Sequence, residues 1–264
     1  EQSSIFDNMK QLVIIFGMVV LSSCGDKTAE SEESKSNDKQ EVKDIPDDQK
    51  ITRHIQTDLN LTAANKYSVK KFKADLNGDD IEDVIITVNL LERALNEGIR
   101  TGRAEKMAEM GYMGYYNYLY FMDGLTKEIS PGEVVASSPM FQLDVNFEKI
   151  LGGPNKDFTV DYRVRNMQRR KFFTILGGRP VEVCQAIIFD GLGTPNTEAY
   201  HIEYEDGTVN DYNDIVEYEA TLEDMEIINL DSSYYFIPTI TSTGKEHRRW
   251  HYSPSQRKYF TVKN

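Results

Sequence analysis

The sequence is poor in cysteine, tryptophan and histidine, with two, one and four of them in 264 residues. Two cysteines form at most one disulfide, so the chain is not a small disulfide-stabilised scaffold. His247 and His251 have the spacing of a zinc site on a helix, but the stretch around them reads as a β-hairpin. Residues four apart on a strand lie about 13 Å apart, too far to share one ion. No zinc site is therefore expected.

Positive charge is also scarce. The chain has 30 Lys and Arg residues against 43 Asp and Glu residues, which gives a formal net charge of −13. An acidic chain repels phosphate backbones, so no nucleic-acid partner is expected.

Known catalytic motifs are missing as well. The sequence contains no G-x-S-x-G, P-loop, G-x-G-x-x-G or H-E-x-x-H pattern. The sequence does not exclude a carboxylate pair suited to glycoside hydrolysis, because the distance between two carboxylates in the fold cannot be read from the sequence. The sequence alone therefore names no reaction.

The apolar stretch near the N-terminus is short. It runs for ten residues, Leu12–Leu21, which is too few to span a bilayer. Lys10 precedes it, and Leu21-Ser22-Ser23-Cys24 ends it. A basic residue, a short apolar segment and small residues in this order are typical of an export signal.

Leu21-Ser22-Ser23-Cys24 resembles the lipobox of bacterial lipoproteins. The resemblance implies that the Cys24 sulfur carries a diacylglycerol and that Cys24 becomes the N-terminus of the mature protein. Residues 1–23 are then an export signal, in which residues 1–8 lie upstream of a natural-looking start at Met9. The implied address is the cell envelope, anchored by lipid to the outer membrane. The residues after Cys24 do not decide between its periplasmic face and its surface face.

Residues 24–50 read as a tether. From Gly25 to Lys50 there are nine acidic and five basic residues, no aromatic residue and three apolar ones. Such a segment buries too little surface to offset the entropy lost on ordering. We expect a flexible, acidic linker that holds a folded domain, residues 51–264, away from a membrane.

That domain reads as mostly strands. Short segments rich in Val, Ile, Tyr and Phe alternate with clusters of Gly, Pro, Asn and Asp. This predicts a mostly β fold, an antiparallel sandwich or partial-propeller-like sheets, with one inserted helix. The helix is predicted at Leu90–Gly111, with Leu91, Leu95 and Ile99 on its apolar face. We expect it to cap a sheet end; a membrane-surface helix is the alternative. A second, short helix is predicted from Ile51.

An acidic loop interrupts two of the predicted strands, in the stretch "KADLNGDDIEDVIIT" from Lys73 to Thr87. It has the pattern D-x-N-x-D-x-x-x-D, in which alternate residues turn their oxygens inward and offer hard ligands for Ca²⁺. The predicted ligands are four side chains and one backbone carbonyl: Asp75, Asn77, Asp79, Ile81 and Asp83.

The loop is not an EF-hand, because position 12 is Ile86 and the flanks are strands. It resembles the calcium loops of integrin-like FG-GAP (VCBS-type) repeats, which lie in a β-hairpin. The resemblance covers about fifteen residues and implies one structural Ca²⁺. It departs at position 6, where Asp80 replaces a glycine that often has positive φ. The alternative is a solvated acidic turn at Asn77-Gly78.

Two stretches, Arg163–Phe173 and His247–Tyr252, concentrate the basic residues. Together they could form a cationic, aromatic patch for a carboxylate, an acidic sugar or a phosphate. The alternative, which we favour, is that these cations pair with carboxylates elsewhere in an acidic chain. The patch residues are Arg163, Arg165, Arg169, Arg170, Arg248, Arg249 and Trp250.

These features favour a non-enzymatic binding or scaffold module whose partner is an envelope protein or a glycan. The alternative is an envelope hydrolase that acts on glycan or peptide. A deep pocket with two convergent acids or a nucleophile–base pair would favour the enzyme. A shallow aromatic or cationic face would favour binding.

Overall fold

A computed structural model describes residues 46–223 and 230–261. Cys24 and most of the predicted tether lie outside these ranges. Within them the helices are α1 Asp47–Asp58, α2 Leu91–Arg100, α3 Ala104–Glu109 and α4 Leu230–Ser233. The strands are β1 Ser68–Ala74, β2 Asp83–Asn89, β3 Gly114–Met122, β4 Glu133–Ser137, β5 Asp144–Glu148, β6 Asp157–Val164, β7 Met167–Ile175, β8 Pro180–Asp190, β9 Glu198–Glu205, β10 Asp214–Leu222, β11 Ile240–Ser253 and β12 Lys258–Phe260.

The strands form two antiparallel sheets, which confirms the mostly β prediction. One sheet has the order β1-β2-β3-β4, and the other runs from β12 to β5, each strand beside its neighbours in the chain. The sheets meet face to face around Ile85 and Phe121 from the first and Phe158 and Phe173 from the second. None of the helices in the described part of the chain is long and apolar enough to cross a membrane.

Strand β2 is buried along its whole length. Ile85 faces the larger sheet, whereas Val84, Ile86 and Val88 face a second apolar cluster beneath the helices. A strand covered on both faces needs a continuous β-branched run rather than an alternating one. The run Val84–Thr87 supplies it.

Helix α1 supports the first sheet. Asp47 and Asp48 lie in its first turn, where carboxylates interact favourably with the helix dipole. Ile51 and Ile55, one turn apart, are buried against the sheet together with Leu59. The helix begins four residues before the predicted start of the folded domain at Ile51, so residues 47–50 do not belong to the tether.

The predicted helix Leu90–Gly111 is two helices. Gly102 separates α2 from α3 with a φ of +66°, a left-handed conformation that interrupts a helix. The predicted apolar face is also wrong, because Ile99 is exposed and α2 buries Ala94 and Gly98 instead. Small side chains at these positions let the helix lie close to its neighbours.

Two strand predictions differ from the structure. Strand β4 was missed, because Glu133–Ser137 is short and contains Ala and Ser. Residues 234–239 contain Tyr, Phe and Ile, which predicts a strand, but the chain is irregular there until β11 begins at Ile240. The predicted C-terminal hairpin is confirmed by the pairing of β11 with β12.

Three hairpins share the same hydrogen bond between a buried aspartate and the turn before it. Strands β2, β6 and β10 each begin with a buried aspartate: Asp83, Asp157 and Asp214. Each carboxylate accepts a hydrogen bond from a backbone N–H in the turn before its strand, that of Leu76, Leu151 or Thr208. A short polar side chain thus satisfies a turn amide that the sheet does not pair.

The same three turns are neighbours in space. A Cβ added at Gly78 would lie 2.4 Å from the Asn155 Oδ1, and one added at Gly152 would lie 2.6 Å from the Asn213 Oδ1. Asn213 also donates from its side chain to the Lys149 carbonyl, at 3.1 Å. The acidic loop is therefore the first of three adjoining turns at one end of the domain.

Candidate functional site

The acidic loop joins β1 to β2 and has the predicted alternation. Asp75, Asn77 and Asp79 are half-buried and Asp83 is buried, whereas Gly78 and residues 80–82 are exposed. Asp80 has a φ of +64°, so position 6 adopts the positive φ that the pattern requires. Local geometry therefore follows the register read from the sequence.

Hydrogen bonds from its own backbone to its side chains hold the loop in shape. The Asp75 carboxylate accepts from the N–H groups of Gly78 and Asp80, at 2.7 and 3.1 Å. The Asn77 Oδ1 accepts from the Asp79 N–H at 3.1 Å, and the Asp79 Oδ1 from the Ile81 N–H at 2.9 Å. These side chains order their own backbone, as Asx turns do.

Asp83 lies at the base of the loop. Its two oxygens accept from the N–H groups of Leu76 and Gly124, at 3.0 and 2.8 Å. Burial raises the pKa of this carboxyl, the two hydrogen bonds oppose the rise, and the charges of Asp123 and Asp79 add to it. No Lys or Arg among the described residues forms an ion pair with Asp83. The base of the loop is therefore a buried negative centre that no cation in the described part of the chain pairs with.

Asp123 was not predicted as part of this site. It follows β3, and its Oδ2 accepts from the Asn77 Nδ2 at 3.2 Å. The next residue, Gly124, has no room for a side chain, because an added Cβ would lie 2.3 Å from the Glu82 carbonyl oxygen. The pair Asp-Gly after a strand signals a turn, but nothing in the sequence places this turn against a loop forty residues earlier.

The loop offers oxygen ligands of the type that a hard cation prefers, but these oxygens do not form a complete coordination shell. Within the described ranges, no group of three or more Asp, Glu, His or Cys side chains is arranged to hold a metal ion. Carboxylate, amide and carbonyl oxygens at the predicted positions are nevertheless the ligands that Ca²⁺ prefers. Carboxylate oxygens that accept one N–H each keep a lone pair for a cation.

Two of the predicted patch arginines are hydrogen-bonded to carboxylates, and a third, Arg248, forms a longer ion pair with Glu217 at 3.7 Å. Arg170 forms two hydrogen bonds with Asp161, at 2.7 and 2.9 Å. Arg249 contacts Glu205 and Glu246 at 2.8 Å each and Asp214 at 3.4 Å. For these two, the geometry matches the alternative in which cations pair within the chain.

Arg163 is buried with only 3% exposed. Its guanidinium donates to the carbonyls of Arg165 and Ser233, at 2.9 and 2.6 Å, and lies over the rings of Phe141 and Phe189. Burial lowers the pKa of Arg163 to about 10. Arg163 therefore has a packing role and does not extend the surface patch.

Arg169 and Arg248, one from each basic stretch, line the same groove on the larger sheet. The carboxylates of Glu198 and Glu217 lie on its wall too. Trp250 packs behind this groove, and the Arg248 guanidinium lies 5.4 Å from its ring centre. The structure therefore brings together only part of the predicted patch, and it adds two acids that were not predicted to belong to it.

The remaining candidates have structural roles. His251 lies on β11 four residues after His247, and its Nδ1 lies 3.0 Å from the Asp214 Oδ1. Cys184 is buried in an apolar cluster, and burial raises the pKa of its thiol to about 12. A thiol held neutral in this way is unreactive.

No protein-family model matches the chain, and neither the search of curated proteins nor that of solved structures finds a match.

Proposed function

We propose that this protein is a lipid-anchored component of the bacterial cell envelope, with a non-enzymatic β-rich binding or scaffold domain that one Ca²⁺ stabilises. Cys24 is the proposed lipidation site. Asp75, Asn77, Asp79 and Asp83 would hold the ion with their side chains, and Ile81 with its carbonyl. When bound, the ion neutralises crowded carboxylates and fastens the β1–β2 hairpin.

One observation carries the calcium part of the proposal. The buried Asp83 carboxylate sits beside the charges of Asp79 and Asp123, and no described Lys or Arg pairs with it. Like charges at close range in a partly buried site destabilise the ionised form. A divalent cation removes this cost.

A calcium titration of the melting temperature at fixed ionic strength tests this proposal. An ion that binds only the folded state stabilises it by about 2.7 kcal/mol at one hundred times its Kd. For a chain of this length that corresponds to an increase of about 5–10 °C. The affinity should be in the range of extracellular modules, about 10⁻⁴ to 10⁻³ M.

Asp79→Ala and Asp75→Ala should each abolish the calcium-dependent increase, because each removes a proposed ligand. Asp206→Ala is the matched control, since Asp206 is exposed in the separate β9–β10 turn. Identical calcium curves for the wild type and Asp79→Ala would contradict the proposal. A response that monovalent salt reproduces would favour the solvated acidic turn.

The alternative, an envelope hydrolase, rests on the presence of Glu198 and Glu217 in one groove. Burial raises the pKa of Glu217, and a carboxyl with a raised pKa near a second carboxylate is the pairing that glycosidases use. Release of reducing sugar from a polysaccharide, lost in Glu217→Gln, would favour this function over binding.

A further inference from the structure

A groove with a cavity volume of about 290 Å³ lies where the larger sheet separates. Strands β8 and β9 pair at only two positions, Phe189 with Ala199 and Asp190 with Glu198. Beyond these pairs the strands diverge, and Ile187 of β8 and Tyr200 of β9 line the gap. The opening is thus part of the sheet itself and does not depend on a loop.

Glu217 of β10 lies in this groove with 3% of its surface exposed. Its nearest cation is the Arg248 Nε, 3.7 Å from the Oε2, which is longer than a hydrogen bond. The indole of Trp250 is near enough to lower the pKa of Glu217, but its buried Nε1 has no hydrogen-bond partner. The Trp250 Nε1 and the Arg248 Nε thus lie beside this carboxylate without forming a hydrogen bond of ordinary geometry with it. A ligand hydroxyl that donates to this buried carboxylate supplies a hydrogen bond that the protein itself makes poorly.

Two guanidinium groups in the groove are also incompletely neutralised. The Arg169 Nε donates to the Met167 Sδ at 3.1 Å, and no described carboxylate lies within ion-pair distance of Arg169. Arg248 has only the 3.7 Å contact with Glu217, and about half of its side chain is exposed. Arginine pairs preferentially with carboxylate and phosphate groups.

An aromatic wall completes the groove. Glu217 pairs with Arg248, and Tyr218 pairs with Glu246, so His247 is an extra residue in a β-bulge. Bulges redirect side chains and are frequent next to binding sites. Here the bulge places the His247 ring 4.6 Å from that of Tyr200.

We propose that this groove binds a small sugar acid, a hydroxylated ring that carries a carboxylate. The carboxylate binds to Arg169 and Arg248, ring hydroxyls donate to Glu217, and the ring packs on Tyr200 and His247. A phosphate monoester dianion has no hydrogen to donate to Glu217, and a neutral sugar would leave both arginines unused. The volume lies at the small end of ligand pockets, about 300–1,000 Å³, which suits one ring. The inference rests on the proposed binding function but requires neither the calcium ion nor the lipid anchor.

Titration of the full chain with D-galacturonate, followed by ligand-observed NMR, tests the proposal. We expect saturable binding at millimolar concentration and at least tenfold weaker binding of D-galactose, which lacks only the carboxylate. Arg248→Gln and Glu217→Gln should each weaken galacturonate binding at least tenfold. Arg179→Gln is the matched control, because Arg179 is exposed in the β7–β8 turn outside the groove. Its affinity should equal that of the wild type.

Equal affinities for galacturonate and galactose would overturn the proposal, as would unchanged binding by Arg248→Gln. Tighter binding of alanine, a zwitterion without a ring, would overturn the ligand class. Arg248→Gln keeps the test valid if Glu217→Gln fails to fold, because the Arg248 side chain is half exposed. Binding is measured with and without EDTA, so its loss is distinguishable from failure of the calcium site.

Discussion

At the scale of a single residue, Asp83 is the basis of the calcium proposal. Its raised pKa also predicts that the stability of the folded protein depends on pH. Burial raises the pKa of its carboxyl in the folded protein above the ordinary value of 3.8. The folded state therefore binds this proton more tightly than the unfolded state. The resulting stabilisation is complete below about pH 3.8 and is lost as pH rises through the raised folded value.

Asp83→Asn should remove this dependence. In EDTA, the wild type should lose more stability than the variant between pH 4 and pH 7, as measured by urea unfolding. Calcium should reduce the loss in the wild type, because the ion favours the ionised carboxylate. Parallel pH profiles for the two proteins would show that Asp83 does not titrate in this window.

At the scale of elements, Asp157 at the start of β6 predicts a stability effect at a residue that is not a proposed calcium ligand. Asp157 accepts from the Leu151 N–H at 2.9 Å and is buried. Asp157→Ala leaves that N–H without its acceptor, which should cost about 1–3 kcal/mol in the free energy of unfolding.

Asp144 provides the control for Asp157, because it also begins a strand but is exposed. Asp144→Ala should change stability by less than about 0.5 kcal/mol. Equal losses in the two variants would mean that position at the start of a strand, rather than the buried hydrogen bond, determines the effect.

The elements also explain what the sequence could predict. Strand positions and the register of the acidic loop follow from local patterns, so β2 and residues 75–83 were placed correctly. The break at Gly102 comes from a glycine in the left-handed conformation, which the helical pattern on either side of it does not reveal. The irregular residues before Ile240 depend on surroundings that override local strand preference. The Glu217 groove depends on where β8 and β9 stop pairing, and no local pattern records that separation.

At the scale of the whole molecule, the folded domain should begin near Asp47. Ile51 and Ile55 of α1 are buried against the first sheet, so cleavage within this helix would expose apolar surface. Limited proteolysis of a membrane fraction should therefore cut before Asp47 and release a resistant domain. N-terminal sequencing of the released fragment measures the boundary.

Membrane fractionation also tests the proposed lipid anchor at Cys24. Cys24→Ser should move the protein from the membrane fraction to the soluble fraction, because stable anchoring depends on the acyl chains. Ser22→Ala is the matched control and should stay with membranes. Wild-type protein found wholly in the soluble fraction would contradict the lipid anchor.

The larger sheet, in which each strand lies beside its neighbours in the chain, also bears on how the domain forms. Contacts between segments close in the sequence require little loop-closure entropy, so such chains fold faster than those that join distant segments. From β5 to β12, each new strand can add to an edge that already exists. The groove at β8 and β9 lies inside this sheet, so it takes shape only when the strands on both sides of it, β7 and β10, have paired with their neighbours.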